Sequence, residues 1–387
     1  MWKHIAANGL TFLIVALFLA GGVILWGMNE YSAEGPLDQA ICLNVRDGSN
    51  MRRVSEQLSE QGAIKSPAIF RMGSDYSERT SQLKAGNFLV PERASMEDIV
   101  GIVTGTGRST CGTEVVYRIG VVRNVVQIRE LDPATNRYVD LAEFEMAGDN
   151  VPAVYGTVRD ESDTQYRVVL AEGVTSWQAM TALNGIDVLT GEIGETPAEG
   201  ALAPDSYEFV PGEDVAQILD EMVTAQAEFL AQAWANRVDG LPLETPEQAL
   251  ILASIVEKET GGQDEVGTVA SVFENRLRQG MPLQTDPTVI YGITNGEGIL
   301  GRGLRQSELR AETPYNTYVI PGLPPTPIAN PGRASIEAVM NPEETDYIFF
   351  VAKTLNPADG HNFAVTLEEH NANVAIYRAL EAAAAAE

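Results

Sequence analysis

A long uncharged run near the N-terminus constrains this chain more than any other feature of its sequence. Residues 5–28, IAANGLTFLIVALFLAGGVILWGM, contain no charged side chain. At a rise of ~1.5 Å per residue, a helix of this length spans roughly 36 Å, enough for a tilted membrane crossing. Lys3 precedes the run and acidic residues follow it, so the positive-inside rule predicts a cytoplasmic tail at 1–4 and an external location for everything after Met28.

The alternative interpretation of this run is a cleaved signal peptide. Such a peptide should have a shorter apolar region that ends in a small-residue cleavage site. ALFLAGG is a weak site of this kind, but the apolar run continues past it. We therefore predict an uncleaved single-pass transmembrane helix at 5–28, followed by a polar linker at 29–39. Outside the cytoplasm Cys42 and Cys111 could pair, and the sequence leaves their pairing open.

The composition argues against two classes of function. The formal net charge of -28 disfavours nucleic acid, because binding phosphates needs clustered Lys and Arg. The chain has only three histidines and two cysteines, and none of their spacings is that of a zinc site. We expect no metal and no cofactor, although an all-carboxylate metal site stays open.

After the linker, the sequence predicts an α+β protein that begins with a small α/β module at 40–107. Apolar residues at helical spacing indicate a helix over 50–64. The segment KAGNFLVP at 84–91 indicates a short strand. A second helix is predicted over 95–107, with Ser95 as its N-cap. These elements give the module a helix–strand–helix order.

The middle of the chain divides into two regions. Runs rich in β-branched residues, separated by turn residues, predict a β-rich insertion at 108–172. A helical bridge is predicted at 173–240, with a helix from about Ser176 to Asn184 and a turn-rich stretch at 204–214. A long amphipathic helix over 213–237 follows. Its apolar stripe is formed by Ile218, Met222, Ala225 and Phe229.

The C-terminal unit, 241–378, has a mixed α/β pattern. Its first helix has a clear start and a clear end. Thr245 is the predicted N-cap, with Pro246 at the first helical position, and Gly261-Gly262 stop the helix. A second helix is predicted over 265–280. The residues 379–387 are helix-prone and low in complexity, which is typical of a frayed tail.

Two glutamates near the end of the first of these helices are the candidate chemical groups. Glu257 and Glu259 lie two residues apart, about 200° around a helix, so at most one of them can line a given cleft. Glu257 falls at the edge of the apolar stripe, which predicts that it is half-buried. A half-buried carboxyl can donate a proton near neutral pH, because burial disfavours its charged form. From this feature alone, a solvated glutamate near a helix end is the simpler interpretation.

Four long segments favour the catalytic interpretation. LASIVEKET, VASVFENRLRQGMPLQTDPTVIYG, TPYNTYVIPGLPPTPIANPG and HNFAVTLEEHN resemble the YceG-like (MltG) family of membrane-anchored endolytic murein transglycosylases. The resemblance is strong over 245–375 and extends more weakly to KAGNF and PDSYEF. The strand-rich stretch at 112–165 is longer than this family usually has there.

The resemblance implies a lytic transglycosylase that acts on nascent peptidoglycan strands in the periplasm, beside the inner membrane and cell-wall synthases. It implies cleavage of the MurNAc-β-1,4-GlcNAc bond without water, with Glu257 as the catalytic acid and base. One carboxylate suffices because the 6-hydroxyl of the sugar is the nucleophile, which gives a 1,6-anhydro-MurNAc end. The resemblance also implies that 40–107 is a LysM-like, glycan-binding module and that 241–378 is the catalytic domain.

Other matched segments supply candidate substrate-binding residues. Their polar or aromatic side chains could bind sugar hydroxyls or stack on sugar faces, and the predicted set is Gln284, Thr285, Asp286, Tyr291, Tyr315, Asn316 and Tyr318. Asp286 is also the best second carboxylate if the enzyme hydrolyses, or it forms an Asx-turn before Pro287. His361 and Asn362 either reach the cleft or form a turn after Gly360.

Two other functions stay open at this stage. The first is a non-catalytic peptidoglycan-binding scaffold, in which Glu257 only hydrogen-bonds sugar. The second is a serine enzyme of the penicillin-binding type, because SQLK at 81–84 fits Ser-x-x-Lys with Ser81 as nucleophile. Its Lys-Thr-Gly partner is missing, since Lys353-Thr354 is followed by Leu355, which disfavours the serine enzyme.

Overall fold

The computed structural model describes residues 2–46, 48–105, 110–159, 161 and 164–385, with the backbone alone at 2–10 and 263. The chain opens with one long helix, α1 (Trp2–Ser32). Its stretch Thr11–Ser32 is long and apolar enough to cross a membrane, which is compatible with a single-pass anchor. The helix continues beyond Met28, so the first residues of the predicted linker are helical.

The described chain has two compact units. Each unit is assembled from separate segments of the sequence. Unit 1 comprises Met1–Val115, Ile128–Glu143 and Pro152–Gln165, and unit 2 comprises Val116–Gln127, Phe144–Val151 and Tyr166–Glu387.

The small module of unit 1 contains two strands and three helices after α1. In chain order they are β1 (Ile41–Val45), α2 (Met51–Glu60), α3 (Pro67–Tyr76), β2 (Gly86–Val90) and α4 (Met96–Val103). The strands pair antiparallel around a shared apolar core.

The prediction for this module is partly confirmed. The helices α2 and α4 and the strand β2 were expected, whereas β1 and α3 were not. Ser95 caps α4 through a capping box: its Oγ accepts from the Asp98 N–H (3.1 Å), and the Asp98 carboxylate accepts from the Ser95 N–H (3.0 Å). The last residues of the predicted second helix, 106–107, lie outside the described residues.

The strand-rich region folds into a five-stranded sheet. Its strands are β3 (Thr113–Ile119), β4 (Asn124–Asp132), β5 (Arg137–Glu145), β6 (Gln165–Leu170) and β7 (Ser206–Phe209), and α5 (Ala153–Arg159) precedes β6. The strand order is β5-β4-β3-β6-β7.

The prediction of a turn-rich stretch at 204–214 is wrong where β7 forms. β7 pairs antiparallel with β6, with Tyr166 opposite Phe209. Tyr207 and Phe209 alternate with exposed residues and are buried, and the Phe209 ring lies 5.8 Å from that of Tyr166. Turn residues on either side masked this short strand, because only two buried side chains signal it.

The rest of unit 2 is mainly helical. Its elements are α6 (Ser176–Leu183), α7 (Val215–Ala235), α8 (Pro246–Glu259), α9 (Val266–Arg278), α10 (Asp286–Thr294), α11 (Arg333–Met340), β8 (Phe349–Ala352), β9 (His361–Ala364) and α12 (Leu367–Ala384). β8 and β9 pair antiparallel. Residues 379–384 of the helix-prone tail form the end of α12, and 386–387 lie outside the described residues.

The helix α8 is the centre of the C-terminal core. Every side chain from Ile251 to Val256 is buried, and α8 packs with α9 and α11 around Leu252, Phe273 and Ile336. The stripe predicted for α7 differs in one position, because Gln226 is buried rather than Ala225. The Gln226 amide donates to the carbonyl oxygens of Gly200 and Pro331, which gives its buried NH2 group two acceptors inside the core.

The disulfide between Cys42 and Cys111 gives a stability prediction for unit 1. The two Cα atoms lie 5.7 Å apart, and 69 positions separate the residues in sequence. A loop of this length restricts the unfolded chain, so reduction should lower the free energy of unfolding of unit 1 by about 4 kcal/mol. Denaturant unfolding with and without a thiol reductant measures the change. The Cys42→Ser/Cys111→Ser variant should be insensitive to reductant, and an unchanged wild-type midpoint would contradict the prediction.

Candidate active site

The end of α8 brings two carboxylates to the surface of the core. The helix begins as predicted, with the Thr245 side chain accepting from the Gln248 N–H (3.3 Å). It ends at Glu259, just before Gly261 and Gly262. A Cβ on Gly261 would lie 1.9 Å from the Pro357 carbonyl oxygen, so only glycine allows this close approach. The last turn of α8 is therefore held in place by neighbouring backbone.

Glu257 is half-buried, as predicted, and its Oε2 accepts two hydrogen bonds. The donors are the Gly332 N–H (3.0 Å) and the Ser335 hydroxyl (2.7 Å), both in the first turn of α11. Gly332 is the N-cap residue of α11 and has no side chain to cap it. Glu257 therefore caps α11 from another helix and complements its N-terminal dipole.

Glu257 also belongs to a network of charges. The Lys258 ammonium donates to the Gly173 carbonyl oxygen (3.2 Å), and burial lowers its pKa while Glu257 and Glu199 raise it. Partial burial, together with the charge of Glu257, raises the pKa of Glu172. Burial likewise raises the pKa of Glu199, against hydrogen bonds from the Ser176 N–H (2.8 Å) and neighbouring donors. Lys258, Glu172 and Glu199 thus place one basic and two acidic groups around Glu257.

Glu259 points to a different side of α8. Its Oε1 accepts a short hydrogen bond from the Thr285 hydroxyl. Burial raises the pKa of Glu259 to about 7, and the charge of Asp286 adds to the rise, while Thr285 and Arg276 oppose it. A carboxyl with this pKa is available in both protonation states near neutral pH, as a general acid and base requires.

Thr285 is itself held firmly. It is the N-cap residue of α10 and is buried, and its N–H donates to the Thr317 hydroxyl (3.0 Å). The Thr288 hydroxyl donates to the Thr285 carbonyl oxygen (2.8 Å) and lies 2.9 Å from that of Thr317. Three buried threonines therefore fix the group that orients Glu259.

A buried cation lies on the same side of α8. Arg276 is only 7% exposed, and it donates from Nε to the Ile348 carbonyl oxygen and from Nη1 to that of Leu283, each at 2.7 Å. Burial lowers its pKa, and Tyr318 and Glu259 raise it. The guanidinium is positioned to favour negative charge on Glu259.

The exposed polar groups near Glu259 come from the segment before α10 and from a later turn. The Tyr318 hydroxyl donates to Asp286 Oδ1 (2.7 Å), and burial together with Asp286 raises the pKa of Tyr318. Asp286 and Gln284 are exposed. Gln284 has a φ of +54°, a left-handed conformation that turns the chain between Leu283 and Thr285. These groups leave polar atoms open to solvent beside the half-buried carboxyl.

Comparison with known proteins identifies the family of this chain. The model of the YceG-like family matches residues 43–376. The chain belongs to the YceG-like family. A relative from Bacillus subtilis (strain 168), called endolytic murein transglycosylase, is 27% identical over 360 residues, which cover 91% of this chain and 89% of that protein.

Two further proteins are similar to this chain. A Streptococcus pneumoniae (serotype 2, strain D39) protein of the same name is 26% identical over 386 residues, and this chain spans 65% of its length. A 2.6 Å crystal structure of a YceG-like protein from Listeria monocytogenes is 26% identical, covers 86% of this chain and 99% of that chain, and has a TM-score of 0.45.

The structure divides the predicted site residues of this YceG-like chain into two groups. One group surrounds Glu259 and contains Gln284, Thr285, Asp286 and Tyr318. Tyr291 lies elsewhere, because its hydroxyl donates to Glu199 Oε2 (3.0 Å). The Tyr315 ring packs against that of Tyr291 at a tilt of 53°, with ring centroids 5.1 Å apart, and its hydroxyl lies 2.8 Å from that of Thr326.

Asn316 is buried and bonded within its own loop. It is fully buried, and its amide donates to the carbonyl oxygens of Glu308 (3.1 Å) and Ala311 (2.7 Å). Its Oδ1 accepts from the Tyr318 N–H (3.1 Å). Its polar atoms therefore hold the turn that carries Tyr318, rather than an open face. Asp286 is the first residue of α10. The alternative interpretation, an Asx-turn in a loop before Pro287, therefore does not describe its position.

The remaining candidates lie outside both groups. His361 pairs with Glu265, with Nδ1 2.6 Å from Oε1 and its N–H donating to Oε2 (2.8 Å). Asn362 is in β9, opposite Val351. Ser81 is an exposed residue of a 3-10 turn, and no hydrogen bond among the described residues joins it to Lys84. Within the described part of the chain, no three His, Cys, Asp or Glu side chains are arranged to hold a metal ion.

Sequence reasoning considered Glu259 but did not choose it, and it did not consider Arg276. The apolar stripe of α8 pointed to Glu257, because that position borders buried residues of the same helix. The burial of Glu259 comes instead from α9 and the segment 283–288, which pack on α8 in three dimensions. The glycine pair that begins two residues after Glu259 was the available signal for a close approach of other chain segments.

The raised pKa of Glu259 predicts how stability depends on pH. Between about pH 4.5 and 7 the folded chain keeps a proton that the unfolded chain loses, so wild-type stability falls as pH rises through this window. Glu259→Gln removes this loss and still accepts from Thr285. The variant should therefore gain up to about 3 kcal/mol over wild type between pH 4 and pH 8.

Denaturant unfolding at the two pH values, followed by the fluorescence of Trp177 and Trp234, measures this gain. Both tryptophans lie in unit 2, which also contains Glu259. If the free energies of unfolding of variant and wild type differed by the same amount at pH 4 and at pH 8, the assigned burial of the Glu259 charge would be contradicted.

Proposed function

We propose that this chain is a membrane-anchored endolytic peptidoglycan transglycosylase in which Glu259, rather than Glu257, is the catalytic acid and base. Family membership and the names of the relatives support the activity. The observation that carries the residue assignment is the environment of Glu259: a pKa near 7, a fixed donor in Thr285 and exposed polar neighbours.

The contacts of Glu257 support this choice by contrast. Both hydrogen bonds to its Oε2 come from α11, and Lys258 adds a nearby positive charge. An acid catalyst must give up and regain its proton during the reaction. Only Oε1 of Glu257 is then available to carry that proton, because Oε2 is bound to Gly332 and Ser335.

The proposed reaction uses one carboxyl twice. Protonated Glu259 donates its proton to the glycosidic oxygen as the bond from that oxygen to C1 of MurNAc breaks. The sugar acquires oxocarbenium character at C1, and the Glu259 carboxylate is left beside it. The Glu259 carboxylate then takes the proton of the MurNAc 6-hydroxyl, and the oxygen of that hydroxyl bonds to C1. The products are a free GlcNAc 4-hydroxyl and a 1,6-anhydro-MurNAc end, and no water is consumed.

The neighbours of Glu259 have distinct roles in this proposal. Thr285 orients the carboxyl, and Arg276 favours the carboxylate that forms in the first half of the reaction. Gln284 and Asp286 are exposed and are proposed to bind sugar hydroxyls, with Tyr318 fixed by Asp286 at the edge of the site. Asp286 carries a second charge beside the cation-like sugar and favours its formation.

Other parts of the proposal rest on the anchor and the module. The apolar stretch of α1 and the charges around it support a single crossing of the inner membrane with the N-terminus in the cytoplasm. The module at 40–107 is proposed to be LysM-like and to contact glycan. Tyr291 and Tyr315 are proposed to contact substrate only where the glycan extends beyond Glu259. Work beside cell-wall synthases is implied by the family alone.

Two single-atom substitutions test the residue assignment. Glu259→Gln should lower the cleavage of uncrosslinked glycan strands by about a thousandfold or more, because it removes the proton that starts the reaction. Glu257→Gln keeps an oxygen to cap α11 and should retain activity within about tenfold. Both variants are assayed as full-length protein, with folding checked by circular dichroism. The opposite order of activities would restore Glu257 as the acid.

The mass of the new sugar ends tests the reaction itself. Anhydro-MurNAc ends from the wild type support the proposed mechanism. Reducing MurNAc ends would instead show hydrolysis, and Asp286 would become the second carboxylate. Retained glycan binding without cleavage by the wild type would favour the scaffold function.

A further inference from the structure

The apolar part of α1 leads into the small module of unit 1 without a flexible segment. Tyr31, near the end of α1, packs against the hydrophobic core of the module. A Cβ on Gly73 of α3 would lie 2.2 Å from the Tyr31 ring, so the two helices are in direct contact. Glu30 and Lys65 form an ion pair across the same junction (3.1 Å).

The chain directly after α1 is also fixed to the module. The Gly35 N–H donates to the Arg93 carbonyl oxygen, and the Arg93 N–H donates to that of Leu37, each at 3.0 Å. The predicted polar linker at 29–39 is therefore ordered against the module. The position of the module along the axis of α1 is set by these contacts, and so is its distance from any bilayer that α1 crosses.

The helices α1 and α3 form an open apolar groove between them. Its large apolar side chains are Val23, Ile24 and Met28 from α1, and Ile69, Met72 and Tyr76 from α3, and Glu97 is the charged residue that also lines it. Four of these residues are strongly exposed: Val23 (65%), Ile24 (62%), Met72 (61%) and Tyr76 (85%). A contiguous exposed apolar surface of this kind is typical of an interaction site.

The groove is continuous with the apolar stretch of α1. Val23 and Ile24 belong to the uncharged run 5–28, and the helix rises only ~13 Å from Val23 to its last residue. Met72 and Tyr76 lie beside Val23–Met28, so they share the depth of these residues in a bilayer. Tyrosine is enriched at this depth, because its ring is apolar and its hydroxyl is polar.

The charge of the chain indicates what kind of lipid contact this is. With a formal net charge of -28, the chain is repelled by anionic headgroups rather than attracted to them. Contact through Met72 and Tyr76 would instead bury apolar surface, which does not depend on salt.

We infer that α3 lies in the outer headgroup boundary of the bilayer that α1 spans, with Met72 and Tyr76 in contact with lipid. The small module is then seated on the membrane surface instead of being tethered at a distance from it. This inference rests on the membrane anchoring proposed above and is independent of the catalytic residue.

Site-specific photocrosslinking in full-length protein tests the inference. The chain is reconstituted in nanodiscs of phosphatidylethanolamine and phosphatidylglycerol, and Tyr76 is replaced by p-benzoylphenylalanine. The same replacement at Phe18, which is 80% exposed on α1, reports on the anchor. Replacement at Arg52, on α2 and outside the groove, is the matched control. Lipid adducts on the corresponding peptides are measured by mass spectrometry.

The expected result is lipid adduct at positions 18 and 76, with at least about fivefold less at 52, because only interfacial side chains meet lipid. The yield at 76 should be equal at low and high salt. Adduct at 18 with none at 76, or a crosslink from 76 to a second copy of the chain, would overturn the inference and leave the anchor intact. Absence of adduct at 18 would overturn the anchor and the inference together.

Discussion

The candidate site depends on the burial of α8. Because its side chains from Ile251 to Val256 are buried, the last turn cannot move away from its neighbours. Two glutamates leave this turn about 200° apart and meet different surroundings. Glu257 meets the first turn of α11, which offers donors and needs a cap. Glu259 meets one hydroxyl donor and a nearby acid, and burial disfavours its charge.

This difference gives two neighbouring residues of one type different surroundings. Glu257 accepts two hydrogen bonds from the start of α11 and holds that end of the helix in place. A carboxyl buried beside Asp286 keeps its proton to about pH 7 and can transfer it. Thr285 and Arg276 limit the rise in the pKa of Glu259, so this carboxyl still ionises near neutral pH. In the proposed function, this balance between burial and contacts allows Glu259 to act first as acid and then as base.

Much of the fold follows from local sequence signals. The start of α8 at Thr245-Pro246, its end before Gly261, the capping box of α4 and the apolar anchor are all set by residues close in sequence. The helix α3 begins with Ser66-Pro67, the same kind of start signal as Thr245-Pro246, which sequence reasoning overlooked. The short strand β7 lacks such a signal, since its pattern is brief and depends on pairing partners such as β6. A pattern read along one strand or helix does not contain those partners.

The candidate site was predicted less well, for the same physical reason. The segment 284–286 and Tyr318 were identified as polar groups in matched segments, and they do gather around one glutamate. The choice between Glu257 and Glu259 depends on which helix packs on which side of α8, and helical spacing alone cannot supply this. Asn316 is the clearest example of a site residue that the sequence could not place, because its side-chain amide donates to the carbonyl oxygens of its own loop.

The most direct test of the central claim is the pH dependence of kcat/KM for strand cleavage by the wild-type protein. If Glu259 starts the reaction as an acid, kcat/KM should fall as pH rises through about 7, because the free enzyme loses the required proton there. A profile that stays level from weakly acidic to weakly alkaline pH would contradict the claim that this buried carboxyl is the catalytic acid.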